Sequence, residues 1–261
     1  MDTKDWHCPK AYPDYKITWA RFPLYKDWLM DCPTCTDGVM LTDVRDAYFQ
    51  RDPFAMAVEL QMQYPLMVFE EHPDMRNTHW LTDFPITLCK KYKVGETQVL
   101  CSGSTMGSRE GILDYIDAMV EEFDEWKVQE KCRIDMPGDD QSIHNYLYYT
   151  NRFKNATSIP HRTGPIHVVG YEASRIWEKA EAEGKEHGVT VWNVDSFYAK
   201  EEDKWQGWLP EEYGLIDQET GLIVNMDGVA SAQVHQVDRF GSLNRKWMSK
   251  MKEEVWPYNK A

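Results

Sequence analysis

Between Ile112 and Trp126 the apolar side chains fall at Ile112, Tyr115, Ile116, Met119, Val120, Phe123 and Trp126. The i, i+3, i+4, i+7 spacing requires a helix with one buried face. Ser108 stands just ahead, with a hydroxyl suited to cap it. Asp117, Glu121, Glu122, Asp124 and Glu125 fill the other positions, and the expectation is a solvated acidic face. Gln98–Cys101 reads as a strand leading toward this helix. The intervening Ser102-Gly103-Ser104-Thr105-Met106-Gly107-Ser108 reads as a loop.

Other segments extend the alternation of strand and helix. Gly38–Thr42 is a short apolar run that ends abruptly in Asp43-Val44-Arg45-Asp46. A buried strand delivers polar groups at its carboxyl end in this way. Asp52-Pro53 is a helix start, with a short helix expected to about Gln63. Leu66–Phe69 reads as another strand. Asp139-Asp140-Gln141 precedes a helix with Ile143, Tyr146 and Leu147 on its buried side. Ile166–Val169, Val189–Val194, Leu222–Asn225 and Ala232–Val237 read as strands, and Ser242 as the cap of a last helix carrying Leu243, Trp247 and Met251. The first thirty-odd residues look irregular. The expected fold class is α/β, a mixed sheet flanked by helices with a more antiparallel C-terminal part. A single domain over residues 1–261 is expected, with the charged run Glu178–Gly188 as the likeliest break between its core and an appendage.

The chain has 261 residues and a formal net charge of -14. Such a surface repels a phosphate backbone, so nucleic acid is not an expected partner. A small phosphorylated ligand remains compatible, because a divalent metal offsets local charge. No run approaches the roughly 20 apolar residues of a membrane span. The polar start MDTKDWHCPK has no signal-peptide core, which makes the cytoplasm the default expectation. Of 6 Cys, Cys32 and Cys35 form a lone CxxC, with His7 and Cys8 upstream. A local disulfide or surface thiols fit it better than zinc, which needs a second ligand pair. Asn155-Ala156-Thr157 fits a glycosylation sequon, which has meaning only on a secretory route.

Four segments place chemistry at expected strand or helix ends, where open α/β sheets bind ligands. Asp43, Arg45 and Asp46 could hold a divalent cation and a phosphate together; the plainer reading is a surface ion pair. Ser102–Ser108 could approach an anion at a helix start, or simply feed a capped helix; it matches neither Walker nor GxGxxG patterns. Asp140 could cap its helix or accept a proton from a hydroxyl. His235 could be a satisfied strand residue or a ligand for a manganese-like ion, beside Asp238 and Arg239. The remaining histidines, His161 and His167 among them, show no shared ligand spacing.

In order, LTDVRDAYFQRDPF, NTHW, CSGSTMGS, DDQSIHN and VHQVDR resemble a group of GT-A (Rossmann-like) glycosyltransferases found in algae, plants, cyanobacteria and large algal viruses. The resemblance runs from about Arg21 to Arg239. It implies a hexosyl- or pentosyltransferase that moves sugar from a nucleotide-sugar donor to a glycan acceptor, with Mn2+ or Mg2+. It implies that Asp43 and Asp46 replace an Asp-x-Asp motif and that His235 is a third metal ligand. Ser102, Gly103, Ser104 and Thr105 would line the donor-sugar pocket. Asp140 would be the catalytic base and Gln141 would face the sugars. Arg45, Asp238 and Arg239 would contact the donor, Arg239 at its diphosphate. Here the motif reads Asp-Val-Arg-Asp, with Arg45 where a second metal-binding Asp often lies. GT-A domains begin with a strand–helix–strand unit; no first strand is legible before Asp43, so a truncated or rebuilt N-terminal unit is expected. Two rivals stand beside the transferase: a non-catalytic sugar- or nucleotide-binding module, and a metal-dependent hydrolase. The absence of a second histidine pair in the sequence weighs against the hydrolase.

Overall fold

A computed structural model of the chain describes residues 12, 14–55, 63–75, 90, 97–129, 139–172, 182–184, 216–217 and 219–240. The expected strand at Val189–Val194, the helix after Ser242, the NTHW segment, His7 with Cys8, and most of the Glu178–Gly188 run lie outside these residues. The chain forms two compact units. Unit 1 is Met1–Leu41 with Val58–Ile159; unit 2 is Thr42–Ala57 with Pro160–Ala261. Both hold α/β elements with mixed sheets.

Unit 1 is built on a four-stranded sheet of order β1-β4-β3-β5: β1 (Gly38–Thr42, its last residue entering unit 2), β4 (Leu100–Ser108), β3 (Leu66–Glu70) and β5 (Ala156–Ile159). β3 runs antiparallel to β4 and parallel to β5. Among the described residues three helices belong to the unit: α1 (Ile17–Met30), α2 (Arg109–Val128) and α3 (Asp139–Tyr149).

The α2 periodicity holds, with Val120 half-buried at its edge. Ile112, Tyr115, Ile116, Met119, Phe123 and Trp126 are buried, and the Ser108 hydroxyl accepts the Gly111 N–H at 3.0 Å. Glu122 departs from the expected solvated face: it is fully buried. It accepts from Trp126 Nε1 at 2.8 Å and pairs with Lys90 Nζ at 2.8 Å. A buried carboxylate needs such partners, and an acidic run conceals the one member that has them.

The segment read as irregular contains α1. Pro23 lies within it and cannot donate to the preceding turn, which hides the helix from propensity. Tertiary packing holds it instead. Trp19 stacks on Phe123 with centroids 4.7 Å apart, and Phe22 meets Tyr115 and Phe123 at 5.9 and 5.3 Å. Each such pair adds about 1 kcal/mol beyond burial. At its end Cys32 and Cys35 form a disulfide, the local reading of the CxxC.

The stretch read as a loop is strand. β4 continues through Ser108, and the polar residues Ser104 and Thr105 are buried within it. Its pairing with β3 steps from Val68↔Thr105 to Phe69↔Cys101, so Ser102, Gly103 and Ser104 have no counterparts on β3. They form a bulge, which re-aims side chains inside a sheet. Gly107 serves packing between strands, not approach to a ligand. A Cβ there would lie 2.2 Å from the Pro65 carbonyl oxygen. Gly107→Ala is therefore expected to cost about 3 kcal/mol. An unchanged urea midpoint would contradict the close approach.

Unit 2 is organised by a three-stranded sheet of order β2-β7-β6: β2 (Ala47–Phe49), β7 (Gln233–His235) and β6 (Ile166–Val168). β2 is antiparallel and β6 parallel to β7, so this C-terminal sheet is mixed where a more antiparallel one is expected. Two isolated antiparallel bridges, Ile216↔Ile223 and Val224↔Ala230, stand near it. The Gln50 side chain joins the segments of this unit, donating to the Ile223 and Ser231 carbonyls and accepting from Ile223 N–H, each at 2.8 Å. Asp52 accepts from Phe54 N–H at 2.9 Å, as a helix cap does; residues 53–55 are helical, and 56–62 lie outside the described residues. No helix among the described residues is long and apolar enough to cross a membrane.

Candidate functional site

The Asp43–Asp46 bend connects β1 to β2. Antiparallel pairing sets Ala47 opposite His235, so Asp46 reaches a histidine from the far end of the sequence. Val237 N–H donates to the Asp46 carbonyl at 3.2 Å and closes the junction. Asp43, Asp46 and His235 each offer a ligand atom, and these atoms lie within 4.8 Å of one another. His235 Nε2 stands 3.4 Å from Asp46 Oδ1. Adjacent ligands of a cation with ~2.1 Å bonds sit roughly 3 Å apart, so the spacing fits a small divalent ion. The mixed carboxylate and imidazole set suits several first-row metals.

After His235 the chain turns sharply. Gln236 has φ 66°, a left-handed conformation that costs a non-glycine residue about 1 kcal/mol. The turn starts the 3-10 helix Val237–Phe240, which carries Asp238 and Arg239. Gly170 accommodates it: a Cβ there would lie 2.0 Å from Gln236 Oε1 and 2.3 Å from Arg239 Nη1.

Electrostatics order the carboxylates. Burial pushes Asp46 up, but His235, Arg239 and Arg45 outweigh it and hold this carboxyl below its usual range. Asp238 moves the other way, raised by burial and by the charge of Asp46. Arg45 pairs at 3.3 Å with Asp238, a residue near the other end of the chain. Arg45 is exposed and Asp238 half-buried, and an ion pair of this kind is worth about 1 kcal/mol or less.

Unit 1 carries the other expected residues. Asp140 is buried in the first turn of α3, and its Oδ2 takes Arg21 Nη2 at 2.6 Å and Ser102 Oγ at 3.5 Å. Gln141 Nε2 donates to Glu71 Oε1 at 3.4 Å. Asn145 fixes α3 on the start of β4 by exchanging two 2.8 Å bonds with the Leu100 backbone. Ser102 and Asp140 are thus brought together, whereas Gly103, Ser104 and Thr105 are buried strand residues. Arg21 was not foreseen as a partner, because the helix that carries it was not.

A second cluster escapes sequence reading. His161 Nε2 and His167 Nε2 lie 2.8 and 3.1 Å from Glu172 Oε1, and all three residues are buried. Both imidazoles hold the Glu172 carboxyl well below its ordinary value against the opposing effect of burial, and burial lowers His167. The histidine pair that the sequence does not reveal is therefore present. Its members lie on a turn, a three-residue strand and the following helical residues, so no regular period marks them. No protein-family model matches this chain, and no curated protein matches it.

Proposed function

We propose that this chain is a divalent-metal-dependent glycosyltransferase of GT-A type, acting on a nucleotide-diphosphate sugar and a glycan hydroxyl. One observation carries the reading: Asp43, Asp46 and His235, from opposite ends of the sequence, present their ligand atoms together. These residues would hold Mn2+ or Mg2+. Such an ion supplies positive charge to a departing diphosphate. Arg45 and Arg239 flank the cluster and have the fork geometry that matches phosphate oxygens. Asp46, kept below the usual carboxylate range, stays charged at neutral pH.

In the reaction the acceptor oxygen bonds to the anomeric carbon as the bond to the nucleoside diphosphate breaks. The acceptor proton must pass to a base. For inversion the resemblance alone gives that role to Asp140, a residue of unit 1 whose carboxylate pairs with Arg21. For retention Asp140 takes no proton, and the acceptor proton passes instead to the departing diphosphate oxygen.

The test is a panel of nucleotide sugars with and without Mn2+, read by thermal protection and nucleotide release. One donor is expected to protect only with metal, and an acceptor sugar should accelerate release. Protection without turnover would make the chain a binding module, and release of free sugar indifferent to acceptors would make it a hydrolase. No protection by any donor would end the nucleotide-sugar reading.

A further inference from the structure

Glu172 Oε1 receives both imidazoles, while its Oε2 is buried with no hydrogen bond. A bare carboxylate oxygen in the interior costs on the order of 1–3 kcal/mol unless a cation or donor serves it. Two nitrogens and a carboxylate converge here, with ligand atoms within 4.8 Å of one another. We propose that His161, His167 and Glu172 form a second metal site, selective for zinc over Mn2+ and Mg2+, that stabilises unit 2.

The donor chemistry supports that selectivity. Two imidazoles and one carboxylate suit zinc, whereas Mg2+ and Mn2+ favour oxygen-rich sets. Zinc bonds of ~2.0–2.2 Å in tetrahedral geometry separate ligand atoms by roughly 3.3 Å. The present 2.8 and 3.1 Å separations need widen by only a few tenths of an ångström. Three protein ligands leave a fourth position for water.

The site is distinct from the first. In the β6–β7 ladder His167 pairs with Val234, and Val168 with His235. Paired residues share a face and successive residues alternate, so His167 and His235 point to opposite faces of the sheet. Loss of either cluster can therefore be read separately.

The experiment uses the full chain carrying Asp43→Ala, which disables the first cluster. After chelation it should take up one equivalent of Zn2+ by calorimetry, with a rise in Tm of several degrees that Mg2+ does not reproduce. Zinc-edge X-ray absorption should show two imidazoles; the Asp43 cluster could supply one. Adding Glu172→Gln, close to isosteric, should weaken zinc binding at least tenfold. No zinc uptake by the Asp43→Ala protein, one imidazole at the edge, or undiminished binding after Glu172→Gln would each overturn the proposal. Should the Glu172→Gln chain not fold, the absorption edge of the Asp43→Ala protein decides alone.

Discussion

Under the proposed function, replacing His235 or Asp43 with alanine is expected to lower metal-dependent turnover by roughly 100- to 1000-fold, because a metal's contribution at a departing diphosphate is several kcal/mol. The measurement is initial rate against Mn2+ concentration, with a parallel melting curve. Asp43 is only half-buried and its removal should leave Tm nearly unchanged. His235 is buried, so its alanine variant loses stability as well. The separation matters: a rate loss in Asp43→Ala at constant Tm assigns the effect to chemistry and not to folding. Full activity in both variants would remove these residues from the proposed centre.

The second large effect is on acid stability. His144 is fully buried on α3, with Nδ1 3.0 Å from the Tyr115 hydroxyl. Burial foremost, and then the positive charge of Arg21, push it from 6.5 down to about 3. The unfolded chain binds this proton below pH 6.5 while the native chain does not until about pH 3. Stability therefore falls as pH drops through that window, by an amount on the order of 5 kcal/mol at its acid end. Urea unfolding at pH 7, 5 and 4 measures the slope. His144→Gln removes the titrating group and should flatten the slope across the window, whatever it costs at pH 7. An equal slope in the variant would show that other groups drive acid unfolding.

What the sequence discloses depends on how local the cause is. The apolar α2 face and its Ser108 cap are written in adjacent residues, and both are found, with Val120 half-buried. β4 is legible only to Cys101, because Ser-Gly-Ser-Thr has loop composition and its burial comes from neighbouring strands and a bulge. α1 is concealed by Pro23 and by aromatic side chains whose partners lie on α2. Glu122 looks solvated by its company, yet Lys90 and Trp126 claim it. The same contrast governs the sites. The Asp43 bend is conspicuous at the end of an apolar run, but its grouping with His235 follows from the resemblance and from β2–β7 pairing, not from spacing. Arg21, His161, His167 and Glu172 acquire meaning only when nonlocal packing sets them against their partners.

Unit 2 takes one segment from early in the chain and the rest from beyond Ile159, with the whole of Val58–Ile159 between them. This order gives synthesis a direction. Every residue of unit 1 leaves the ribosome before Pro160 does, whereas the Asp43–Asp46 bend must wait for His235. At ~5–20 residues per second the wait is roughly 10–40 s. The Asp43, Asp46 and His235 cluster is thus assembled late, and a nascent chain has the residues of the α2 core in hand long before it can bring these three side chains together.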